Sequence, residues 1–206
     1  MRKLREQSFL NSSADFEKAF NERQKVPHNW MDVYRWEELI KPFKGGKLID
    51  LGCLDSLVPI ITKTYFPNSE IWGLDQAKEA IKKLAEAEPK INYLVGDVYK
   101  TGFPDGYFDY AVAGELIEHL EKLEDFFREA FRILKPDGKL AITTPYKETE
   151  AGEVDQFRHL WSFMPSDIRA LARPYMRGAK IKIIPTWLER RFHYHHPYIL
   201  AIITKK

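Results

Sequence analysis

The central part of the chain alternates short apolar runs with stretches of helical periodicity, from about residue 47 to residue 145. Short runs bounded by Gly, Pro or Asp predict strands, and apolar residues spaced by three and four predict amphipathic helices. The predicted strands are Lys47–Leu51, Glu70–Leu74, Asn92–Val95, Phe108–Ala113 and Lys139–Thr144. The predicted helices between them are 57–65, Lys78–Ala87 and Leu123–Leu134. Strands that alternate with helices favour βαβ units around a parallel sheet.

The N-terminal part follows a different pattern. Apolar residues at helical spacing predict an amphipathic helix over about 29–43, and Gly45-Gly46 ends it. We expect this helix to pack on the core or to cover a site. The chain therefore divides into a helical extension, 1–46, and an α/β domain, 47–206.

The C-terminal part departs from the alternation. Pro136 and Gly138 predict a turn over 135–138, ahead of the fifth strand. A helix at about Pro165–Ala172 is followed by two β-rich runs, Lys180–Pro185 and Tyr198–Thr204, with only a loop between them. These two runs predict an antiparallel hairpin.

Length and composition exclude several classes of protein. The chain has 206 residues, of which 44% are hydrophobic and 30% charged, which is typical of one globular domain and argues against wholesale disorder. The longest apolar runs are far shorter than the ~20 residues that span a bilayer, so no membrane span is expected. No apolar segment follows the charged N-terminus, so we expect a cytoplasmic protein. The single cysteine, Cys53, excludes an internal disulfide.

Charge is distributed unevenly along the chain. The net charge is +2, but residues 151–206 contain ten Lys and Arg against four Asp and Glu. Such a basic region can attract an anionic substrate or a nucleic acid. No dense run of Lys and Arg is present, so a solvated basic surface is the favoured interpretation and nucleic acid is not an expected partner.

Acidic residues and glycine stand where two of the predicted strands end. Asp50 and Gly52 close the first strand, and Asp75 lies 23 residues beyond Gly52 at the end of the second. The carboxyl ends of parallel strands, followed by helix N-termini, form an edge that binds nucleotide-like ligands, and a carboxylate there accepts hydrogen bonds from ribose hydroxyls. An acid in this place can also simply cap the next helix.

Five segments, taken in order, resemble the class I S-adenosylmethionine-dependent methyltransferases: Leu48–Cys53, Gly73–Asp75, Val95–Val98, Phe108–Ala113 and Arg132–Leu140. The resemblance covers about 47–145 and extends through His159–Phe163 to the terminal hairpin. It implies a Rossmann-like three-layer α/β sandwich whose seven-stranded sheet is mostly parallel, with an antiparallel last strand. It also implies S-adenosylmethionine as methyl donor and S-adenosylhomocysteine as product.

The resemblance implies roles for individual residues. Asp50 and Gly52 would frame the methionine moiety, Asp75 would hold the ribose, and the Ala113–Glu115 segment would line the wall beside the donor methyl. Asp97 and the Val98 amide would contact the adenine. The complete expected set of donor-binding residues is Asp50, Gly52, Cys53, Asp75, Gln76, Asp97, Val98 and Glu115.

The first loop departs from the family. Leu54 and Ser56 stand where most members have glycine, and both side chains add bulk where backbone and ligand usually meet. Cys53 is interpreted as a small buried residue rather than a nucleophile. If the departure abolishes donor binding, the chain is a catalytically inactive binding module.

Two histidines are the candidate catalytic residues. Methyl transfer needs an aligned acceptor and, for a hydroxyl, removal of its proton. His119 follows the fourth strand and would share one face of a helical turn with Glu115 and Glu118, and the pKa range of histidine suits proton abstraction near neutral pH. His159 precedes an aromatic run and is the second candidate. His119 could equally anchor its loop by hydrogen bonds.

The same residues permit a second hypothesis. Glu115, Glu118, His119 and His159 together could form an octahedral site for a divalent metal ion. This set resembles the one in small-RNA 3′-terminal 2′-O-methyltransferases, where it is a metal site that grips the terminal ribose. Similar motifs also occur in metal-free methyltransferases that act on quinones and on glycan-pathway sugars. The leading interpretation therefore includes no metal.

The sequence thus favours a methyltransferase that acts on a hydroxyl, in preference to an amine, of a small molecule or glycan precursor. The loop from Arg190 to Tyr198 mixes charge with aromatic residues and is a candidate for acceptor contact, although a solvated loop is favoured. A nicotinamide-dependent reductase is disfavoured, because the glycine fingerprint is incomplete and no Tyr-x-x-x-Lys pair occurs.

Overall fold

The computed structural model describes residues 1–3, 30–54, 56–147, 159–184 and 197–206. Within these residues no helix is both long and apolar enough to cross a membrane. The strands are β1 (Arg2–Lys3), β2 (Lys47–Leu51), β3 (Glu70–Asp75), β4 (Asn92–Val95), β5 (Phe108–Gly114), β6 (Leu134–Pro145), β7 (Trp161–Ser162), β8 (Met176–Ile184) and β9 (Tyr198–Lys205). The helices are α1 (Trp30–Ile40), α2 (Val58–Tyr65), α3 (Lys78–Ala87), α4 (Leu123–Ile133) and α5 (Pro165–Ala172).

Seven of these strands form one sheet, in the order β4-β3-β2-β5-β6-β9-β8. The pairs from β4 to β6 are parallel, whereas β9 runs antiparallel to both β6 and β8. The predicted fold class and the predicted C-terminal hairpin are therefore confirmed. The strands β1 and β7 form a separate antiparallel pair.

Helices pack on both faces of the sheet, because adjacent strand residues point to opposite sides. On one face, Phe127 and Phe131 of α4 and Ile168 of α5 are buried against Ile49 and Ala111. On the other face the predicted apolar stripe of α1 is buried with residues of β2, β3 and β5; the stripe consists of Trp36, Leu39 and Ile40, with Phe43 just beyond the helix. The extension and the α/β domain thus share a hydrophobic cluster. A domain boundary at residue 46 stays a prediction.

Two of the predicted boundaries were wrong. The predicted turn over 135–138 lies inside β6, which begins at Leu134 because that residue pairs with Phe108. The segment still makes the strand irregular. Asp137 has φ +62°, and the register between β5 and β6 shifts between Phe108 and Tyr110. Likewise β8 begins at Met176 rather than at Lys180, since pairing with β9 carries the strand through a second register shift.

Candidate active site

A crevice is expected where the chain reverses direction across the sheet. The chain proceeds from β2 outward to β4 and then returns to β5 on the other side of β2, and ligands of open α/β sheets bind outside the carboxyl ends of strands at such a point. Gly52 directly follows β2 and has φ +75°, a backbone conformation that glycine adopts readily. A Cβ at Gly52 would lie 2.8 Å from the Leu116 side chain, so the ends of β2 and β5 approach closely.

The carboxylate of Asp75 is fixed at the end of β3. Its Oδ2 accepts a hydrogen bond from the Leu54 amide at 3.3 Å, and its Oδ1 accepts one from the Ala77 amide at 3.0 Å. The side chain is buried, whereas the neighbouring Gln76 is exposed. Asp75 therefore links the loop after β2 to the start of α3. Its predicted contact with a ribose stays a prediction.

Asp50 of β2 and Cys53 of the loop that follows are both buried. Gly73 provides the space for this packing, because a Cβ there would come within 2.8 Å of the Cys53 sulfur and 2.7 Å of the Tyr93 ring. Cys53 is thus a packed interior residue, as predicted. Leu54, a departure from the family pattern, packs against Ala77, which directly precedes α3, and against Ala80 of α3.

The predicted adenine-binding residues lie after β4. Asp97 is exposed, and its Oδ1 accepts a hydrogen bond from the Tyr99 amide at 2.8 Å, which shapes the turn that follows. Val98 is half-buried. Asp97, Asp75 and Asp50 thus mark the carboxyl ends of three adjacent strands in one row. Their role in binding the donor stays a prediction.

Glu118 is a fully buried carboxyl group in the short 3-10 helix Ile117–His119. The Thr144 hydroxyl donates to its Oε2 at 2.9 Å, and its Oε1 is buried with no hydrogen-bond partner among the described residues. Burial raises the pKa of Glu118 to about 8; the charge of Glu115 adds to this increase, and His159 opposes it. Burial therefore favours the protonated form of this carboxyl group over the charged form.

The two predicted catalytic histidines lie together beside Glu118. The rings of His119 and His159 are 4.8 Å apart between centroids and meet edge to face. The segment that follows His159 is anchored to the 3-10 helix, because the Leu160 amide donates to the Glu118 carbonyl and the Trp161 indole donates to the Leu120 carbonyl, both at 2.7 Å. His159 is buried and His119 is half-buried.

Glu115 does not share a helical face with Glu118 and His119, so that prediction was wrong. Glu115 has φ +52°, and the 3-10 helix begins only at Ile117. This left-handed residue breaks the helical phase between Glu115 and Glu118. Of the four residues in the alternative metal-site hypothesis, Glu118, His119 and His159 come together, with their ligand atoms all within 4.8 Å of one another. A carboxylate and two imidazoles suit a divalent transition metal ion.

Arg35 of α1 was missed from the sequence. Its Nη1 donates to Glu115 Oε2 at 3.1 Å and its Nη2 donates to Asp32 Oδ1 at 2.7 Å. The guanidinium also lies 4.2 Å from the centroid of the Tyr198 ring. The available signal was the Asp32 and Arg35 pair, three residues apart on the predicted amphipathic helix. Residues 190–196 of the candidate acceptor loop lie outside the described residues, whereas Pro197 and Tyr198 lie within them.

Residues 49–142 match the methyltransferase domain family. The mitochondrial ubiquinone biosynthesis O-methyltransferase of Bos taurus is 30% identical over 147 residues, which are 59% of this chain and 38% of that protein. The sterol 24-C-methyltransferase erg6 of Aspergillus fumigatus is 33% identical over 106 residues, which are 48% of this chain and 28% of that protein. The chain therefore spans well under half the length of these relatives.

Solved structures share the fold. A SAM-dependent methyltransferase of Thermotoga maritima, a possible histamine N-methyltransferase, superposes with a TM-score of 0.74 at 17% identity, over 93% of this chain and 98% of that one. Fold, motif order and family match agree. Residues 49–142 are thus similar to a methyltransferase domain, within a fold that the class I S-adenosylmethionine-dependent methyltransferases share. S-adenosylmethionine is the donor that this class uses.

Proposed function

We propose that the protein transfers a methyl group from S-adenosylmethionine to a hydroxyl group of a small molecule or glycan precursor. The observation that carries this proposal is the position of two histidines and a buried carboxyl group beside the crevice between β2 and β5. A hydroxyl must lose its proton as it is methylated, whereas a neutral amine can attack before its proton leaves. A histidine pair at this place therefore favours oxygen over nitrogen.

The proposed chemistry divides between the two sides of the crevice. The donor supplies an electrophilic methyl group on a positively charged sulfur, which Asp50, Gly52 and Asp75 would align. His119 or His159 would accept the proton of the acceptor hydroxyl as the new carbon–oxygen bond forms. Glu118, which accepts a hydrogen bond from the Thr144 hydroxyl, would position the imidazole ring. Proximity and orientation supply most of the acceleration in such a displacement.

The relatives support methyl transfer but differ in acceptor. One is an O-methyltransferase of ubiquinone biosynthesis and another is a sterol C-methyltransferase. A fold that hosts different acceptors does not fix the acceptor atom. That the acceptor is a hydroxyl group is therefore part of the proposal. The cytoplasmic location is also part of the proposal, since the relatives include a mitochondrial enzyme.

Calorimetric titration with S-adenosylmethionine and S-adenosylhomocysteine tests the proposal. We expect micromolar binding of both ligands to the wild type, and loss of binding in Asp75→Ala. Asp125→Ala, which removes an exposed carboxylate of α4, is the matched control and should bind normally. A folded wild type that binds neither ligand would contradict the proposal and favour the inactive binding module. Leu54→Gly with Ser56→Gly should then restore binding.

We also infer a second candidate function, in which Glu118, His119 and His159 bind a divalent metal ion, because the ligand atoms of these three residues lie close together. Such an ion would orient an acceptor hydroxyl and lower its pKa. We do not extend this hypothesis to an RNA acceptor, because the sequence has no dense run of Lys and Arg. Elemental analysis and titration with Mn²⁺ test it. The hypothesis would be contradicted if the wild type binds no Mn²⁺, or if Mn²⁺ binding survives in His159→Ala. Glu124→Gln is the control for surface carboxylates and should bind Mn²⁺ like the wild type.

A further inference from the structure

The chain changes direction at Glu115, the residue directly after β5. Glu115 has φ +52°, in the left-handed region that a residue with a side chain adopts only at a cost in free energy. Its amide donates to the Thr143 carbonyl at 3.0 Å, so the change of direction occurs while the chain is still bonded to β6. A strained conformation at this point persists only if other contacts hold it.

This turn sets the course of the segment that enters the candidate active site. The side chain of Leu116 lies 2.8 Å from the position that a Cβ on Gly52 would take, so this segment packs closely against the end of β2. The 3-10 helix Ile117–His119 follows, and the His119 amide donates to the Leu116 carbonyl at 3.0 Å. A different φ at Glu115 would therefore move both Leu116 and His119 away from the end of β2.

Arg35 of α1 contacts the side chain of Glu115 across the structure. The Arg35 Nη1 donates to Glu115 Oε2 at 3.1 Å, and the exposed fractions of the two side chains are 8% and 28%. Arg35 is itself fixed, because it donates to Asp32 and lies over the Tyr198 ring. A charge-assisted hydrogen bond from a fixed cation can offset the cost of the left-handed backbone.

We propose that Arg35 is a positioning residue, which holds Glu115 in its left-handed conformation and thereby fixes Leu116 and His119 against the end of β2. The role of His119 in this inference rests on the proposed function. Arg35 lies on α1, outside the matched residues 49–142. The N-terminal extension therefore takes part in building the site.

Glu115→Ala and Glu115→Gly form a matched pair of variants. Both remove every interaction of the Glu115 carboxylate, whatever its partners, but only glycine adopts the left-handed conformation without strain. The nuclear Overhauser contact between the Leu116 methyl groups and the Gly52 α-protons reports the turn. We expect this contact to be lost in Glu115→Ala and retained in Glu115→Gly. A purely structural role of the carboxylate would affect the two variants alike.

Arg35→Met tests the guanidinium itself. We expect the contact between Leu116 and Gly52 to be lost in Arg35→Met and retained when Arg35→Met is combined with Glu115→Gly. The affinity for S-adenosylhomocysteine, measured by calorimetry, should fall roughly tenfold in Arg35→Met, because one charge-assisted hydrogen bond is lost. The same substitution should not lower it further in Glu115→Gly.

Lys182→Met is the matched control for the attachment of α1. It removes the ion pair between β8 and Glu38 of α1 and leaves Arg35 and Glu115 unchanged. The contact between Leu116 and Gly52 should persist in this variant. Its loss would show that any weakening of α1 disturbs the site, and would contradict a specific role for Arg35.

The outcomes separate the two proposals. If the wild type binds neither donor nor product, the proposed function fails, while the contact between Leu116 and Gly52 still tests Arg35. The positioning role is refuted if Glu115→Ala and Glu115→Gly behave alike, if Arg35→Met retains the contact, or if the loss in Arg35→Met persists in the double variant. If Arg35→Met does not fold, the comparison of Glu115→Ala with Glu115→Gly decides.

Discussion

Two glutamates, Glu118 and Glu129, are both buried but have opposite surroundings. Glu129 of α4 accepts hydrogen bonds from the Thr101 amide and hydroxyl at 2.8 and 2.6 Å, and from Arg132 at 2.7 and 2.8 Å. Burial alone would raise the pKa of Glu129, but the bonds from Arg132 and Thr101 outweigh it and lower the pKa to about 2. Glu118 has one side-chain donor, and its pKa is raised to about 8.

The difference between these two residues distinguishes a structural carboxylate from one that is available for chemistry. A carboxylate with a full set of donors is charged and fixed, and it ties the loop around Thr101 to α4. A buried carboxyl group with a free acceptor position retains capacity for a proton, a metal ion or a substrate. A buried carboxyl group with too few hydrogen-bond donors therefore marks the candidate active site more clearly than burial alone does.

Replacing Glu129 should cause the largest loss of stability. Glu129→Ala leaves Thr101 and part of Arg132 without their acceptor, so the free energy of unfolding should fall by about 3 kcal/mol. Urea denaturation measures this change. Glu124→Ala, on the exposed face of the same helix, should change it little. Equal effects of the two substitutions would show that the Glu129 network contributes nothing.

Glu118→Gln should behave in the opposite way. Between a pKa of about 4.5 in the unfolded chain and about 8 in the folded protein, only the folded state keeps the proton, so wild-type stability falls as pH rises through this range. Glutamine cannot titrate, so the stability of the variant relative to wild type should rise steadily as the pH is raised from about 5 to about 8. Urea midpoints across this range, with a chelator present, provide the test. Parallel curves for the two proteins would contradict the raised pKa.

Thr144→Val should have an intermediate effect. It removes the hydroxyl that donates to Glu118 while preserving side-chain volume. Stability near neutral pH should fall by about 1.5 kcal/mol, because both carboxyl oxygens then lack a side-chain donor. Thermal unfolding measures the loss, and Thr144→Ser should recover most of it. No recovery by serine would show that packing, not the hydroxyl, is responsible.

Thr101→Val should have the smallest effect. The hydroxyl bond to Glu129 is lost, but the Thr101 amide and Arg132 still donate to the carboxylate. We expect a loss of about 1 kcal/mol or less, measured by urea denaturation. A loss larger than that of Thr144→Val would reverse the proposed contrast between the satisfied and the unsatisfied carboxyl group.

The strands and helices could be predicted because their apolar periodicity is local. Asp50 and Asp75 could be placed at one sheet edge for the same reason, since Asp50 lies near the end of one predicted strand and Asp75 directly follows another. The start of β6 could not be predicted, because the pairing of Leu134 with Phe108 overrides the turn preference of the Pro and Gly that follow. Glu115 was misplaced because a left-handed conformation at a residue other than glycine leaves no sequence signal. Arg35 and Glu129 each have a local partner three residues away, but their contacts with Glu115 and Thr101 join residues distant in sequence, which no local pattern reveals.

The position of β9 has a consequence for synthesis of the protein. This strand comes last among the described elements, yet it is inserted between β6 and β8. A nascent chain that stops before Tyr198 leaves β6 with an unpaired edge and exposes the surfaces that Ile199 and Leu200 cover. Unpaired edges recruit other chains. We expect ribosome-stalled or truncated chains to need chaperones, and full-length chains to escape that need once β9 has been released.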